Sequence, residues 1–284
     1  MTDSSTRDEV LVVTGIGGMG EAIARRLGSG YSVVLADLDD ARLAVVEASL
    51  RRDGYAVQAV RTDVSSAVDV AALAESAAGV GSLRCVVHTA GVSPVQATSE
   101  QIIAVDLIGT ARLLDAFEPY VGPGTVGVCI ASMAGKLMPV PPETLQLLAT
   151  TPTDALHKLS VLEPSTVEPG IAYALAKRGT QVRVEAASVT WGRRGGRVVS
   201  ISPGIIATAQ GGEELAGPSG DSMRGMIELS ACRRLGTPMD IAAAVEFLVS
   251  PAASLITGTD LLVDGGVVAA VRQSSSWRNE VSPG

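Results

Sequence analysis

Short runs of apolar residues alternate with longer segments of helical period from about residue 9 to 135, and this alternation constrains the chain more than any other feature. The runs are Val10–Val13, Tyr31–Ala36, Tyr55–Val60, Leu83–Val87 and Thr125–Ile130; the segments between them span 21–27, 40–52, 67–78 and 99–117. A strand that is apolar on both faces must be covered on both, and a parallel neighbour needs a crossover long enough to hold a helix. The pattern therefore predicts a doubly wound α/β domain, a parallel sheet with helices on both faces. A helix over about 171–190, a strand at 197–201, a helix over about 239–248 and a strand at 260–263 bring the expected strands to seven. No linker or repeat interrupts the series, so residues 1–284 read as one domain, with tails at 1–8 and 272–284 expected to fray. Two segments break the rhythm. Residues 137–170 open on Pro139, Pro141 and Pro142 and read as an insertion; residues 205–232, rich in Gly and Ser with Met223 and Met226, read as a functional loop.

Composition narrows the function. The net charge of −8 and the absence of a basic run argue against a nucleic-acid footprint. No apolar stretch reaches the ~20 residues that span a bilayer. The first eight residues lack the basic-then-apolar pattern of a signal peptide, so a soluble, cytoplasmic protein is expected. Cys85, Cys129 and Cys232 show no metal-ligand or redox-pair spacing and read as inert thiols, with no metal site expected. A small-molecule ligand is the partner that remains.

Thr14-Gly15-Ile16-Gly17-Gly18-Met19-Gly20 lies between the first strand and first helix, where a pyrophosphate can approach bare backbone at a helix N-terminus. Alone, such a turn also serves tight packing. Asp37, at the end of the second strand and 17 residues beyond Gly20, adds a carboxylate placed for adenosine ribose hydroxyls. Its charge opposes a 2′-phosphate, which favours NAD over NADP. Together these features predict a Rossmann-type dinucleotide site.

Tyr173-Ala174-Leu175-Ala176-Lys177 places a phenol and an ammonium at i and i+4 on one helix face. A free tyrosine titrates near ~10, and a neighbouring cation is expected to pull it down toward use as an acid or base. With four tyrosines and three lysines in the chain, chance would place this spacing in roughly one chain of 24. The motif, with Ser132 after the fifth strand, resembles the short-chain dehydrogenase/reductase family. The resemblance runs in order over about residues 9–268 through Thr62-Asp63-Val64, Ala90-Gly91, Pro203-Gly204 with Thr208, and Val263-Asp264-Gly265-Gly266. It is closest in pattern to bacterial 3α-hydroxysteroid dehydrogenase/carbonyl reductases. It implies catalysis by Ser132, Tyr173 and Lys177 with Asp106. It assigns cofactor contacts to Gly15, Gly17, Gly18, Met19, Gly20, Asp37, Leu38, Asp63, Val64, Ala90, Gly91, Tyr173, Lys177, Pro203, Gly204, Ile206 and Thr208.

The chain departs from the family pattern at four places. Its glycine turn is one residue shorter than T-G-x-x-x-G-x-G. Asp106 stands where the family has an asparagine that helps hold a water in a proton path from the lysine. A buried carboxylate there would shift its pKa or seek Lys177. His88-Thr89 replaces paired asparagines, and His88 reads as a hydrogen-bonded core residue. Ser132 and Tyr173 are 41 residues apart because of the insertion, which is expected near the substrate mouth or over the neighbouring helix surface.

The expected activity is reversible, NAD-dependent hydride transfer between a secondary alcohol and a ketone. The methionines of 205–232 and the leucines of the insertion suggest a lid over an alicyclic or steroid-like substrate. The rivals are a dinucleotide-binding regulatory protein without catalysis and an acyl-thioester ketoreductase, the latter disfavoured by Asp37. The resemblance further implies a homodimer or homotetramer, and a dimer through the C-terminal elements if the insertion covers the long helices.

Overall fold

The computed structural model describes residues 9–274. Its strands are β1 (Glu9–Thr14), β2 (Ser32–Asp37), β3 (Ala56–Arg61), β4 (Ser82–His88), β5 (Val126–Ile130), β6 (Arg197–Pro203) and β7 (Asp260–Val263). They form one sheet in the order β3-β2-β1-β4-β5-β6-β7, and every neighbouring pair is parallel. The seven-stranded, doubly wound sheet expected from the sequence is the observed one. The direction of winding reverses between β1 and β4, and at that switch point the carboxyl ends of the strands leave a crevice.

The helices are α1 (Gly18–Leu27), α2 (Asp40–Arg52), α3 (Ala67–Val80), α4 (Ser99–Ile102), α5 (Thr110–Phe117), α6 (Ala134–Leu137), α7 (Pro142–Thr150), α8 (Pro169–Arg193), α9 (Ala209–Ala216), α10 (Gly220–Leu229), α11 (Pro238–Val249) and α12 (Val267–Gln273). The strand period of two sends alternate side chains to opposite layers. Leu11 and Val13 pack toward α1, α2 and α11, against Ile23, Leu43, Val46 and Ile241. Val10 and Val12 pack toward α3, α5 and α8, against Leu73, Leu113, Phe117 and Trp191.

Three expectations change. The segment 99–117 is not a uniform α-helix, because Ile103–Gly109 winds as a π-helix between α4 and α5. Residues 205–232 are not a loop but carry α9 and α10, α9 being capped by the Thr208 side chain, which accepts from Gly211 N at 3.0 Å. The C-terminal tail begins later than expected, since α12 runs to Gln273; residues 1–8 and 275–284 lie outside the described residues.

The insertion is a packed layer. Leu148, Leu156 and Leu162 are wholly or almost wholly buried in a third core with Ile102, Leu107, Ala111, Ala172 and Leu175. Polar ties hold it to the helices beneath: Thr153 Oγ1 donates to Asp115 Oδ2 at 2.6 Å, Ser99 Oγ donates to the Val167 carbonyl at 2.5 Å, and Arg183 donates to the Thr151 carbonyl. Of the two expected locations it takes the helix surface, with Leu148, Leu156 and Leu162 in the core and Leu147 exposed. Replacing Leu156 by Ala should therefore cost about 2–5 kcal/mol of stability in urea unfolding. A loss below about 1 kcal/mol would show that the insertion is not part of the cooperative core.

Candidate active site

A cleft of about 980 Å³ opens at the switch point, lined by the β1–α1 turn, the end of β2, the segment after β4 and the start of α9. The turn can form because Gly15 adopts φ +80°, and a Cβ there would lie 2.3 Å from Ala90 N. Gly17, by contrast, meets nothing within 4 Å and leaves open space at the start of α1. Free amides and the positive end of a helix dipole there suit an anion. At the other end, Asp37 Oδ2 accepts from Ile16 N at 2.5 Å and Oδ1 from Asp39 N at 3.0 Å, with Arg42 3.6 Å from the same carboxylate. The carboxylate thus closes the glycine turn as well as facing the cleft. This cradle fits the phosphates and adenosine ribose of a dinucleotide.

Gly91 joins the cleft to a buried ionic centre. A Cβ on Gly91 would lie 3.1 Å from Lys177 Nζ and 3.2 Å from Asp106 Oδ1. Lys177 and Asp106 are both buried, with Nζ 3.2 Å from Asp106 Oδ2. Their contact is an ion pair without a well-directed hydrogen bond; the directed bond to Asp106 comes from Val92 N to Oδ1 at 2.9 Å. Lys177 also donates to the Ile130 carbonyl at 3.4 Å and lies 5.5 Å from the centre of the Tyr173 ring. The π-helix puts Asp106 here, and its carbonyl accepts from Thr110 Oγ1 at 2.8 Å and from Thr180 Oγ1 at 3.1 Å on α8.

Burial raises the Asp106 carboxyl above the usual carboxylate range, opposed by Lys177 and by the Val92 amide. Burial alone would lower Lys177, but the charges of Asp106 and Tyr173 outweigh it and raise its pKa, so it stays an ammonium. The half-buried Tyr173 corrects an expectation. Its phenol is raised, because loss of water outweighs the pull of Lys177 and Asp106 cancels part of that pull; the Ser132 hydroxyl acts the other way, favouring the phenolate.

His88 sits in the core, its Nδ1 2.7 Å from Thr14 Oγ1 and its Nε2 without a partner. Burial first, then Lys177, lowers its pKa to about 3, so it is neutral. Cys85 and Cys129 are pushed up to about 12 by burial, as inert thiols should be, while Cys232 is exposed. Among the described residues no group of His, Cys, Asp and Glu could hold a metal, and no helix is long and apolar enough to cross a membrane.

Of the residues assigned from sequence, Gly15, Gly17, Gly18, Met19, Gly20, Asp37, Leu38, Val64, Ala90, Gly91 and Thr208 line the cleft. Asp63 does not; its carboxylate holds the Ser65 amide and hydroxyl in a turn. Gly204 and Ile206 line a separate pocket of about 200 Å³ beside Cys232, and Pro203 ends β6. Met223, Met226 and the leucines of the insertion are not in the cleft wall. The sequence reading missed Gln96 and Glu213, which bridge the cleft from the β4 side to α9 through a 2.7 Å hydrogen bond. It also missed Arg42; a basic residue three positions into a helix that follows a strand-end acid was the available signal.

Residues 9–144 match the family model described as short chain dehydrogenase, and residues 156–268 match the model described as Enoyl-(Acyl carrier protein) reductase. The chain is 38% identical over 269 residues to the short-chain dehydrogenase/reductase bsc3 of Alternaria brassicicola, covering 94% of this chain and 98% of that protein. It is 26% identical to the 3-alpha-hydroxysteroid dehydrogenase/carbonyl reductase of Comamonas testosteroni, covering 93% and 98%. Among solved structures, a short-chain type dehydrogenase/reductase from Mycobacterium ulcerans superposes with a TM-score of 0.73 at 25% identity, covering 93% of this chain and 90% of that one.

The depressed His88 pKa has a stability consequence. An unfolded histidine binds a proton near 6.5, whereas folded His88 does so only near 3, so stability conferred by the neutral ring is lost as pH falls through that window. His88→Asn should flatten the loss between about pH 6 and 4.5, where the parent loses up to about 1.4 kcal/mol per pH unit from this group. Urea midpoints at three pH values measure it, and equal slopes in the two proteins would contradict the assignment.

Proposed function

The chain belongs to the short-chain dehydrogenase/reductase family and is an oxidoreductase acting on alcohols or ketones, and from that premise we propose that it interconverts a secondary alcohol and its ketone with NAD. The observation that carries the reading is the joining of the two halves at Gly91: a dinucleotide cradle that ends against the Lys177–Asp106 pair, with Tyr173 and Ser132 beside it. Gly17 and Gly18 at the start of α1 would hold the pyrophosphate, and Asp37 the adenosine ribose. The bound nicotinamide supplies the hydride acceptor or donor.

The protein's own residues manage the proton. Tyr173 exchanges it with the substrate oxygen, Ser132 orients that oxygen, and Lys177 holds positive charge beside the phenol. Asp106 keeps Lys177 charged and in place. Because the Tyr173 phenol is raised, it stands protonated at neutral pH and is ready to donate to a ketone. Alcohol oxidation needs the phenolate, so its rate climbs with pH.

Asp37 supports NAD, since a 2′-phosphate would lie against a carboxylate already committed to the turn. An alicyclic secondary alcohol is the first substrate class to test. That choice draws on the steroid named for the Comamonas relative and not on the insertion, whose buried Leu148, Leu156 and Leu162 pack in the core. The second reading, a reductase acting on acyl thioesters, draws on the description of the model matching residues 156–268. Asp37 counters it, since acyl-thioester ketoreductases usually use the phosphorylated cofactor that this carboxylate opposes.

Titration with NAD and NADP, followed by a panel of secondary alcohols, tests the proposal. NAD should bind at least about tenfold more tightly, a difference of about 1.4 kcal/mol, and alcohol should produce NADH. Tyr173→Phe should lose turnover by at least about a thousandfold and still bind NAD. Turnover surviving in that variant, or preference for the phosphorylated cofactor, would defeat the corresponding part of the reading.

For assembly, the insertion packs over part of the α4–α5 segment and α8, leaving Ile171 and Val189 of α8 exposed, which narrows the face that the long helices offer a partner. Phe247 on α11 and Leu255 before β7 remain exposed, and we place a homodimer on that edge. Light scattering should give twice the chain mass, and a monomeric mass would refute it.

A further inference from the structure

Tyr173, Lys177 and Gln181 follow one another at intervals of four along one face of α8. The first two belong to the reaction proposed above; Gln181 has been given no part in it. Gln181 is wholly buried and fully engaged. Its Nε2 donates to Ser202 Oγ on β6 at 2.9 Å and reaches the Ser132 carbonyl at 3.4 Å, while its Oε1 accepts from Arg178 at 2.7 Å. Ser202 in turn donates to Asp260 Oδ1 on β7 at 2.9 Å, and Ser200 donates to the same oxygen at 2.7 Å. Lys136 supplies the countercharge, its Nζ 2.9 Å from Asp260 Oδ2.

These contacts close a ring. Lys136 lies four residues after Ser132, on the short helix that continues the Ser132 segment. From Ser132 the ring therefore runs along the chain to Lys136, across to Asp260, through Ser202 to Gln181, and back to the Ser132 carbonyl. A carboxylate whose side chain is 2% exposed is a costly way to fasten an edge strand, which an apolar residue could pack. The ring grips the Ser132 segment at two points and ties both to the helix that carries Tyr173. The Ser132 hydroxyl itself stays outside the ring, taking a single backbone donor, Ala134 N at 3.2 Å. Its proton remains available to a phenol or a substrate oxygen.

We propose that the Gln181–Ser202–Asp260–Lys136 ring sets the position of Ser132 relative to Tyr173, with Gln181 as the positioning residue. This rests on the assignment of Ser132 and Tyr173 to the reaction. A merely structural ring would affect stability alone; a positioning ring must also change the hydrogen bond at the Tyr173 phenol.

The test is NMR of the full chain labelled with ¹³C at the tyrosine Cζ, which reports hydrogen bonding of each phenol at neutral pH. The chain has four tyrosines, and Tyr173→Phe identifies the signal. Ser132→Ala should move the Tyr173 resonance. Gln181→Leu should move it in the same direction, and lower kcat on the order of tenfold to a hundredfold with KM for NAD unchanged. Ser202→Ala breaks the next link with less disturbance of packing and should act alike, whereas Ser202→Thr keeps the hydroxyl and should restore the parental signal. A Tyr173 signal unmoved in Gln181→Leu and Ser202→Ala, while Ser132→Ala shifts it, overturns the ring and leaves the proposed reaction standing. A signal unmoved even in Ser132→Ala overturns the pairing of Ser132 with Tyr173, and the ring's role with it.

Discussion

Two opposite charges buried together, Lys177 and Asp106, set the terms for the rest of the site. Each alone would be expelled from the interior or neutralised, and removing one partner from such a pair costs about 3–5 kcal/mol. With Nζ and Oδ2 at 3.2 Å they hold one another, and the surrounding backbone completes their coordination through the Val92 amide and the Ile130 carbonyl. Several local features follow. The π-helix brings Asp106 to the pair and turns its carbonyl toward Thr180. Gly91 leaves room for both side chains beneath the cleft floor. Tyr173 then sits, cut off from water, beside a cation whose pull Asp106 partly cancels; burial first and Asp106 second keep its phenol raised.

The sheet brings these parts together. In a doubly wound parallel sheet every strand ends at the same edge, so the β1 turn, Asp37 after β2, Gly91 after β4 and Ser132 after β5 converge from distant parts of the chain. Thr89 shows how closely they are knitted, its hydroxyl donating to the Gly15 carbonyl at 2.6 Å. The cleft is acidic on balance, so under the proposed function a phosphate would be received by backbone amides at the start of α1 and not by side-chain cations. The insertion takes no part in the cleft wall and instead lies as an added layer over α8, the helix that carries the phenol and the ammonium.

Much of this was legible because it is local. Short runs apolar on both faces marked seven strands to within two residues at their ends, and the i, i+4 relation put Tyr173 and Lys177 on one face without any knowledge of what lay opposite. The glycine turn and the strand-end acid were readable for the same reason, since each is marked by its own short stretch of chain next to a strand end. The misread segments share another property. Residues 205–232 carry the composition of a loop, yet a Thr208 cap and packing between α9 and α10 make them helical. Leu148, Leu156 and Leu162 of the insertion have the pattern of any amphipathic face, and only the α4–α5 and α8 surface decides that they point inward.

The sequence by itself determined the fold and the places along it of the glycine turn and of the Tyr173–Lys177 pair, because periodicity and short spacings act over a few residues. The tertiary structure alone decided how those groups behave. Burial raises the Tyr173 phenol that its neighbour was expected to lower, and silences His88. Asp37 spends its carboxylate on the turn it faces, and Glu213 meets Gln96 across 117 residues. Desolvation and pairing of charges depend on what surrounds a side chain in three dimensions, and in this chain those surroundings come from segments far apart in sequence.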